Sequence, residues 1–471
     1  MNANSWPVRR AAMSHGLLLS GAFGHPVGKA VRFLRQSENW TREQLALHQA
    51  QALRALLEHC YQFVPYYREL MQHRKLRPED FRRPRDLAAL PYLTREIIRE
   101  QGDRLRAQNY PDAVCQFRRS GGTTGEPIRV ALDKRARGFE VAAYLRGFQW
   151  MGYRPGSPMV RLFGGSLGIP NRTTLRTKVR EWLFHSRFLP AFELGPGNFH
   201  DYVDLIRRSP GGVLVGYASA VLNLAEHMRS AGMQGSPLRS VICTAEYMPK
   251  EWRERISGVL GVPVFCYYGC GEITGVAHEH ATESGYVVSQ EHIIVEVAGK
   301  GEAEFQDEGY GKIALTTLFN YAMPLIRYLN GDLVRLGYAS SGLAHLRITE
   351  MGGRVVDQPI CTDGNRISGM FVPHLVYQSG CPAWKYQLVQ TSMDRVEFHY
   401  VLPSEQQELS PTMQETLQHQ LRKHLGSGLH VDFVKGQFLV TPSGKHRIYV
   451  DGIPQSRKDR VAPTWRSEVV Q

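Results

Sequence analysis

The sequence predicts an α/β protein in two unequal parts: a large layered α/β domain with an added β-rich subdomain, then a small α+β domain. Three observations carry this. Between Gly212 and Cys266, short apolar runs alternate with helical segments, the pattern of strands and helices packed in layers. Beyond Gly285 the chain becomes strand-rich. Gly352-Gly353 then breaks the pattern, and about a quarter of the chain remains to form strands and helices of its own. The expected boundaries are residues 1–353 for the large domain, with N-terminal helices at about 30–105, and 354–471 for the small one.

The elements follow in order. Trp40 to Tyr61 reads as a helix, because Thr41 and Gln44 can form a capping box and Leu45, Leu53, Leu56 and Leu57 recur at helical spacing. Pro65-Tyr66-Tyr67 ends it. A second amphipathic stretch runs to about Pro78, and Thr94 with Glu96 starts another short helix. Gly212–Val215, Ser240–Cys243 and Val262–Cys266 read as buried strands, with helices at Ala220–Ser230 and Lys250–Val259 between them. Strands follow at Tyr286–Ser289, Ile293–Val297 and Ile313–Thr317. In the last quarter, Val396–Leu402, His430–Val434 and Gln437–Val440 read as strands and Pro411–Leu425 as a helix. No internal repeat is present.

Composition narrows the function classes. Of 471 residues, 42% are hydrophobic and 21% charged, a globular balance that rules out wholesale disorder, collagen and coiled coil. The 57 Lys and Arg against 44 Asp and Glu leave a net charge of +13, which suits an anionic ligand. These charges are spread out. The densest group, Arg74 to Arg85, also holds Glu79 and Asp80, and no zinc-finger or RNA-binding signature is present, so a nucleotide is favoured over nucleic acid. Seven Cys are too few for a disulfide scaffold and read as thiols in a reducing compartment. Arg9-Arg10 before Leu17-Leu18-Leu19 lacks a signal peptide's long apolar run and cleavage site, and Gly211 to Met228 carries Asn223, Glu226 and His227, too polar to span a bilayer. The expectation is a cytoplasmic protein with no membrane span; a homodimer is among the assemblies the sequence allows.

Five segments carry candidate chemistry. In Ser120-Gly121-Gly122-Thr123-Thr124-Gly125-Glu126-Pro127, the glycines let backbone N–H groups approach an anion and the hydroxyls add donors for phosphate oxygens; a plain surface turn is the competing reading. It is not a Walker loop, since no G-K-[ST] follows. Tyr267-Tyr268-Gly269-Cys270-Gly271-Glu272 follows an expected strand, where open α/β sheets bind ligands; a ring there can stack on a base and a carboxylate can hold Mg²⁺, or the segment simply ends a strand. Asn330-Gly331-Asp332-Leu333 places Asp332 in a turn between strands, suited to ribose hydroxyls or to turn formation alone. Gly353-Arg354-Val355-Val356-Asp357 is the fourth. The fifth, Thr441-Pro442-Ser443-Gly444-Lys445-His446-Arg447, is a tight loop presenting Lys445.

In their order and spacing these five segments resemble the motifs of the adenylate-forming superfamily: the phosphate loop [ST]-[SG]-G-[ST]-T-G-x-P, then Y-G-x-[ST]-E, T-G-D-L, the hinge motif and the catalytic-lysine loop. Trp40-Thr41-Arg42-Glu43-Gln44-Leu45, Val64-Pro65-Tyr66-Tyr67-Arg68 and Leu90-Pro91-Tyr92-Leu93-Thr94 resemble the N-terminal helices of the phenylacetate–CoA ligase family. Gly216-Tyr217-Ala218-Ser219, Ala245-Glu246, Glu291-His292, Met323-Pro324-Leu325-Ile326-Arg327-Tyr328 and Asp363-Gly364-Asn365-Arg366 fit the same family, nearest its capsular-polysaccharide-biosynthesis branch. The resemblance runs from about Val31 to Arg447.

The resemblance implies an adenylate-forming fold with a mobile C-terminal lid, and an AMP-forming acid ligase using ATP, Mg²⁺ and coenzyme A. It implies that Ser120, Gly121, Gly122, Thr123, Thr124 and Gly125 hold the β- and γ-phosphates. Glu246, Tyr268 and Gly269 would meet the nucleotide, Asp332 the ribose with Arg354 nearby, and Glu272 the Mg²⁺. Lys445 would neutralise charge between carboxylate and α-phosphate, a task suited to a mobile cation. Two other readings stay open: transfer to an amine or hydroxyl in polysaccharide or secondary-metabolite biosynthesis, and a non-catalytic nucleotide-binding relative. Three departures bear on the second half-reaction: Gly271 where a hydroxyl residue stands before the Glu, Val356 at the hinge position, and Leu329-Asn330 before Gly331. Trp150, Phe163 and Tyr217 flank expected strand ends and are candidates for the acyl pocket, with core packing the alternative. Cys266, Cys270, His278, His280 and His292 could hold a structural Zn²⁺, or be buried thiols and surface histidines.

Overall fold

The computed structural model describes residues 26–119, 128–163, 179, 181–182, 184–191, 193–194, 197–299, 304–340, 342–354, 358–367, 371–402, 408–439 and 446–453. The Ser120–Pro127 loop, Val355–Asp357 and Lys445 therefore lie outside the described residues.

Three helices come first among the described residues: α1 (Pro26–Ser37), α2 (Arg42–Phe63) and α3 (Pro65–His73). The helix expected from Trp40 is α2, and its capping box forms: Gln44 N donates to Thr41 Oγ1 at 3.3 Å and Thr41 N to Gln44 Oε1 at 2.9 Å. Leu45, Leu53, Leu56 and Leu57 all face the core. Pro65 sits in the first turn of α3, where its missing N–H costs nothing. Helix α4 (Arg95–Gln101) starts at Thr94, whose Oγ1 accepts from Ile97 N. Strands β1 (Gln116–Arg119) and β2 (Arg129–Leu132) pair antiparallel on either side of the glycine–threonine segment. Asp133 then caps α5 (Lys134–Trp150) by accepting from Arg135 N and Ala136 N.

The large sheet has eleven strands: β3 (Met159–Phe163), β4 (Ser186–Pro190), β5 (Val213–Tyr217), β6 (Ser240–Thr244), β7 (Val264–Tyr268), β8 (Ala277–His280), β9 (Glu283–Val288), β10 (Ile293–Ala298), β11 (Gly309–Thr317), β12 (Tyr328–Tyr338) and β13 (Leu346–Arg354). Their order is β10-β11-β12-β13-β9-β8-β7-β6-β5-β3-β4. From β4 to β7 neighbours are parallel; from β7 to β10 they are antiparallel. Every residue of β5 and β6 is buried, which is why both read as unbroken apolar runs: helices α6 (Phe199–Arg207), α7 (Ala218–Ser230) and α8 (Lys250–Leu260) accompany the parallel half. Helix α5 lies against β8 so closely that a Cβ on Gly147 would sit 2.2 Å from the His278 ring.

A separate four-stranded sheet follows, with its own core around Tyr386, Phe398, Leu417, Leu421 and Leu425. It is built from α9 (Phe371–Gln378), β14 (Lys385–Ser392), β15 (Arg395–Val401), α10 (Pro411–Leu425), β16 (His430–Lys435) and β17 (Tyr449–Asp451), in the order β16-β15-β14-β17. The expected strand at Gln437–Val440 is corrected: Gln437–Leu439 is a loop, entered through Gly436 at φ +74°, and Val440 is outside the described residues. The Gln387 amide satisfies this loop, donating to Leu439 O at 3.1 Å and accepting from Leu439 N at 2.8 Å, so no ladder is needed. The fourth strand is instead β17. Among the described residues, no helix is long and apolar enough to cross a membrane, and all seven Cys are free thiols.

Candidate active site

The C-terminal end of β7 meets the start of β12 across the sheet, and the site residues collect there. The link is made by the N-terminal region. Leu93 pairs with the beginning of β12, its N–H donating to Arg327 O at 3.0 Å and its carbonyl accepting from Leu329 N at 2.9 Å. This brings Arg95, in the first turn of α4, onto Glu272 in the β7–β8 loop: Arg95 Nη2 lies 3.0 Å from Glu272 Oε1, and Tyr328 OH donates to the same oxygen at 2.8 Å. Glu272 is 1% exposed, yet Oε2 accepts no hydrogen bond from any described residue. A buried, ionisable oxygen without a donor is costly unless something positive reaches it. Burial, then the charge of Glu272, raises the Cys270 thiol far above its ordinary range, so it stays protonated beside this carboxylate.

Asp332 is not in a turn between strands but within β12. Opposite Lys312–Ala314 of β11, the pairing jumps from Leu333 to Leu329, leaving Asn330-Gly331-Asp332 in a bulge. Gly331 takes φ +89°, which a side chain would disfavour, and Asp332 N donates to Asn330 Oδ1 at 2.9 Å. The Asp332 carboxylate accepts from Tyr268 OH at 2.8 Å, Asn330 Nδ2 at 2.9 Å and Arg354 Nε at 3.0 Å. Burial, then Asp332, holds the Tyr268 hydroxyl well above its usual range, so it donates. Tyr268, Asp332 and Arg354 are thus brought into one network, with Glu272 four residues beyond Tyr268.

Glu246 lies apart from that network, after β6. Its Oε2 accepts from Ser219 N, at the start of α7, and its Oε1 from His446 N, both at 2.8 Å. Phe163 and Tyr217 end neighbouring parallel strands β3 and β5 and meet edge to face, 5.1 Å between centroids. Trp150 does not join them: its Nε1 donates to Glu38 at 2.6 Å, its ring lies under Arg146 and meets His280, and it packs the α1–α5 junction.

The Cys/His cluster is not assembled as a metal centre among the described residues. Strand alternation separates it. Tyr267 and His278 are register partners and their rings stack on the α5 side, at 5.7 Å, whereas Cys266 is one pleat away beside Arg253 and Glu279. Burial pushes the Cys266 thiol up to about 12 and the His278 ring down to about 3. His292 is taken up by Gly275 O at 3.0 Å.

The motif readings missed Arg95, Tyr328 and Asn330. Tyr328 and Asn330 lie inside segments already singled out, without a role assigned, and Arg95 adjoins one; nothing in the sequence shows that Leu93 pairs with Tyr328, and that pairing is what turns Arg95 into a partner of Glu272.

No protein-family model matches the chain. Curated relatives do. A phenylacetate–coenzyme A ligase of Thermus thermophilus is 28% identical over 344 residues, 69% of this chain and 73% of that protein. One of Pseudomonas putida is 26% identical over 416 residues, 81% and 88% of the two chains. Among solved structures, a 2-hydroxyisobutyryl-CoA ligase in the postadenylation state with R3-HIB-AMP superposes with a TM-score of 0.73 at 17% identity, covering 90% of this chain and 93% of that one. The same enzyme in its thioesterification state superposes with a TM-score of 0.58 at 18% identity and the same coverage. Sequence likeness to several such ligases over most of the chain, and a shared fold over nearly all of it, agree: the chain is similar to phenylacetate–coenzyme A ligases and has the fold of an adenylate-forming CoA ligase.

Proposed function

We propose that this chain activates a carboxylic acid with ATP, releasing pyrophosphate to give an acyl-adenylate, and passes the acyl group to the thiol of coenzyme A. The observation that carries the reading is Glu272: a fully buried carboxylate held in place through Oε1 by Arg95 and Tyr328 while Oε2 has no donor among the described residues. A hard oxygen fixed in this way fits a hard divalent cation. Glu272 would hold Mg²⁺, which when bound supplies positive charge to the ATP phosphates. Asp332 keeps an acceptor direction on Oδ1 beside Arg354, enough for a ribose hydroxyl, and its three donors fix its orientation. Ser120–Gly125 takes the β- and γ-phosphates in this reading, and Lys445 faces the charge that develops between carboxylate and α-phosphate. Phe163 and Tyr217, at strand ends where open α/β sheets bind ligands, face the acid.

The test is carboxylate-dependent exchange of labelled pyrophosphate into ATP, over a panel of aryl and aliphatic acids, followed by acid-dependent loss of free coenzyme A thiol. Exchange with at least one acid and thiol loss with the same acid are expected. No exchange with any acid, while MgATP still binds, would reduce the chain to a nucleotide-binding protein. Exchange without thiol loss would move the acyl group to another acceptor. Lys445→Ala is expected to abolish exchange while MgATP binding persists; unchanged exchange would remove Lys445 from the chemistry.

A further inference from the structure

The C-terminal sheet meets the large domain around α8 and the loop after β6. Tyr386 OH donates to Glu251 Oε1 at 3.0 Å. The His446 ring lies against Trp252, 5.9 Å between centroids, with its Nε2 2.9 Å from Tyr386 O. Burial, then the charge of Lys385, drives the His446 ring down to about 3, so it is neutral and suited to an apolar contact. Above them stands Glu246. Its two oxygens are divided between the domains, one accepting from Ser219 N of the large domain and the other from His446 N of the small one. Ala245 just before it takes φ +67°, a conformation an alanine rarely adopts. Lys385, at the start of β14, feels the Glu246 charge as well.

His446 follows Lys445 directly in sequence. A contact made to the His446 backbone is insensitive to the side chain there and fixes the chain path at the very point from which Lys445 departs. We infer that Glu246 is a positioning residue: a latch that holds the small domain in the arrangement for acid activation and must let go before the acyl group is transferred. This rests on the two-step reading above. A carboxylate suits the task because a charge-assisted hydrogen bond to a backbone N–H is strong when made and, with the large-domain N–H still bound, leaves no buried charge stranded when broken.

Full-length wild type, Glu246→Gln and Glu246→Ala are compared. An amide cannot accept on both of its arms, so Gln keeps the shape and loses one of the two bonds. Pyrophosphate exchange is expected to fall about 10- to 100-fold in both variants, the worth of one hydrogen bond to a charged group. The loss in thioester formation from supplied acyl-adenylate and coenzyme A should be several-fold smaller than the loss in exchange. In the same full-length proteins without ligands, amide hydrogen exchange in the peptide containing His446 should become markedly faster, while peptides of β14 and β15 stay protected. Tyr386→Phe breaks the neighbouring bond to Glu251 and serves as the control; its exchange activity should drop less than about 3-fold. Equal losses in both half-reactions, or unchanged protection at His446, would overturn the latch. If wild type itself shows no acid-dependent exchange, the two-step reading fails, and the amide-protection arm still decides whether Glu246 pins the domains.

Discussion

Glu272 and Glu291 are both sealed from solvent, and they have opposite fates. Glu291 is saturated: Arg146 grips it through both terminal nitrogens, at 2.5 and 3.0 Å, Ser37 Oγ donates at 2.8 Å, and His345 Nε2 lies 3.3 Å away. Burial alone would raise its pKa, but Arg146 and His345 hold it well below the usual carboxylate range. Arg146 also reaches Leu34 O, so the cluster ties α1 to α5 and to the segment before β10. Among the described residues, Glu272 is braced on one oxygen only. A buried carboxylate whose every direction is answered serves the fold; one left open on one side is available for a ligand.

That contrast can be broken by experiment. The largest stability effect should come from Glu291→Ala, which strands the Arg146 charge in the core: a loss of about 3–5 kcal/mol by denaturant unfolding. A loss below about 1 kcal/mol would erase the distinction. Glu272→Gln should do the reverse, changing stability by less than about 1 kcal/mol while cutting pyrophosphate exchange about 100-fold or more; a variant that exchanges like wild type would deny Glu272 its charge-binding role. Asp332→Ala should weaken ATP binding about 10- to 100-fold, as for lost hydrogen bonds to a charged group, with the acid's KM little changed. A rise confined to the acid's KM would move Asp332 to the other substrate.

The smallest effect concerns pH. His278 and His446 are buried neutral, with pKa values near 3 against about 6.5 when unfolded. Between those values the unfolded chain binds more protons, so their contribution is complete above about pH 6.5 and is lost as pH falls towards 3. Glu291, held low, keeps its full contribution down to its ordinary value near 4.5 and loses it progressively below that. Stability should therefore be flat near pH 7 to 8 and decline below about 6.5, and His278→Leu should flatten that decline. An acid limb of unchanged slope in that variant would locate the sensitivity elsewhere.

Much of the architecture could be read in advance where one local rule governs a segment. The capping box at Thr41, the buried runs of β5 and β6 and the helix at Pro411–Leu425 all obeyed periodicity and capping. Failures came where a distant side chain or a strained residue overrides the local pattern. Gln387 satisfies the backbone at Leu439, so an apparent strand is a loop. Gly331 bulges β12, so an apparent turn is a strand. The site divides in the same way. Motifs flagged Glu272 and Asp332, but Arg95 depends on a pairing more than two hundred residues away in sequence, and Trp150 owes its place to Glu38 rather than to any strand end. Alternation along β7 and β8 dispersed Cys266 and His278, which proximity in sequence had grouped.

The missing side chain at residue 147 has a practical reach. Because nothing larger than hydrogen fits between α5 and the His278 ring, the helix rides at a fixed height over the sheet, and Glu140 on its upper face is delivered to Thr274 N, 3.2 Å away and two residues past Glu272. A bulkier group at 147 would therefore lift the helix and disturb the Thr274 contact, and with it the β7–β8 loop that carries Glu272.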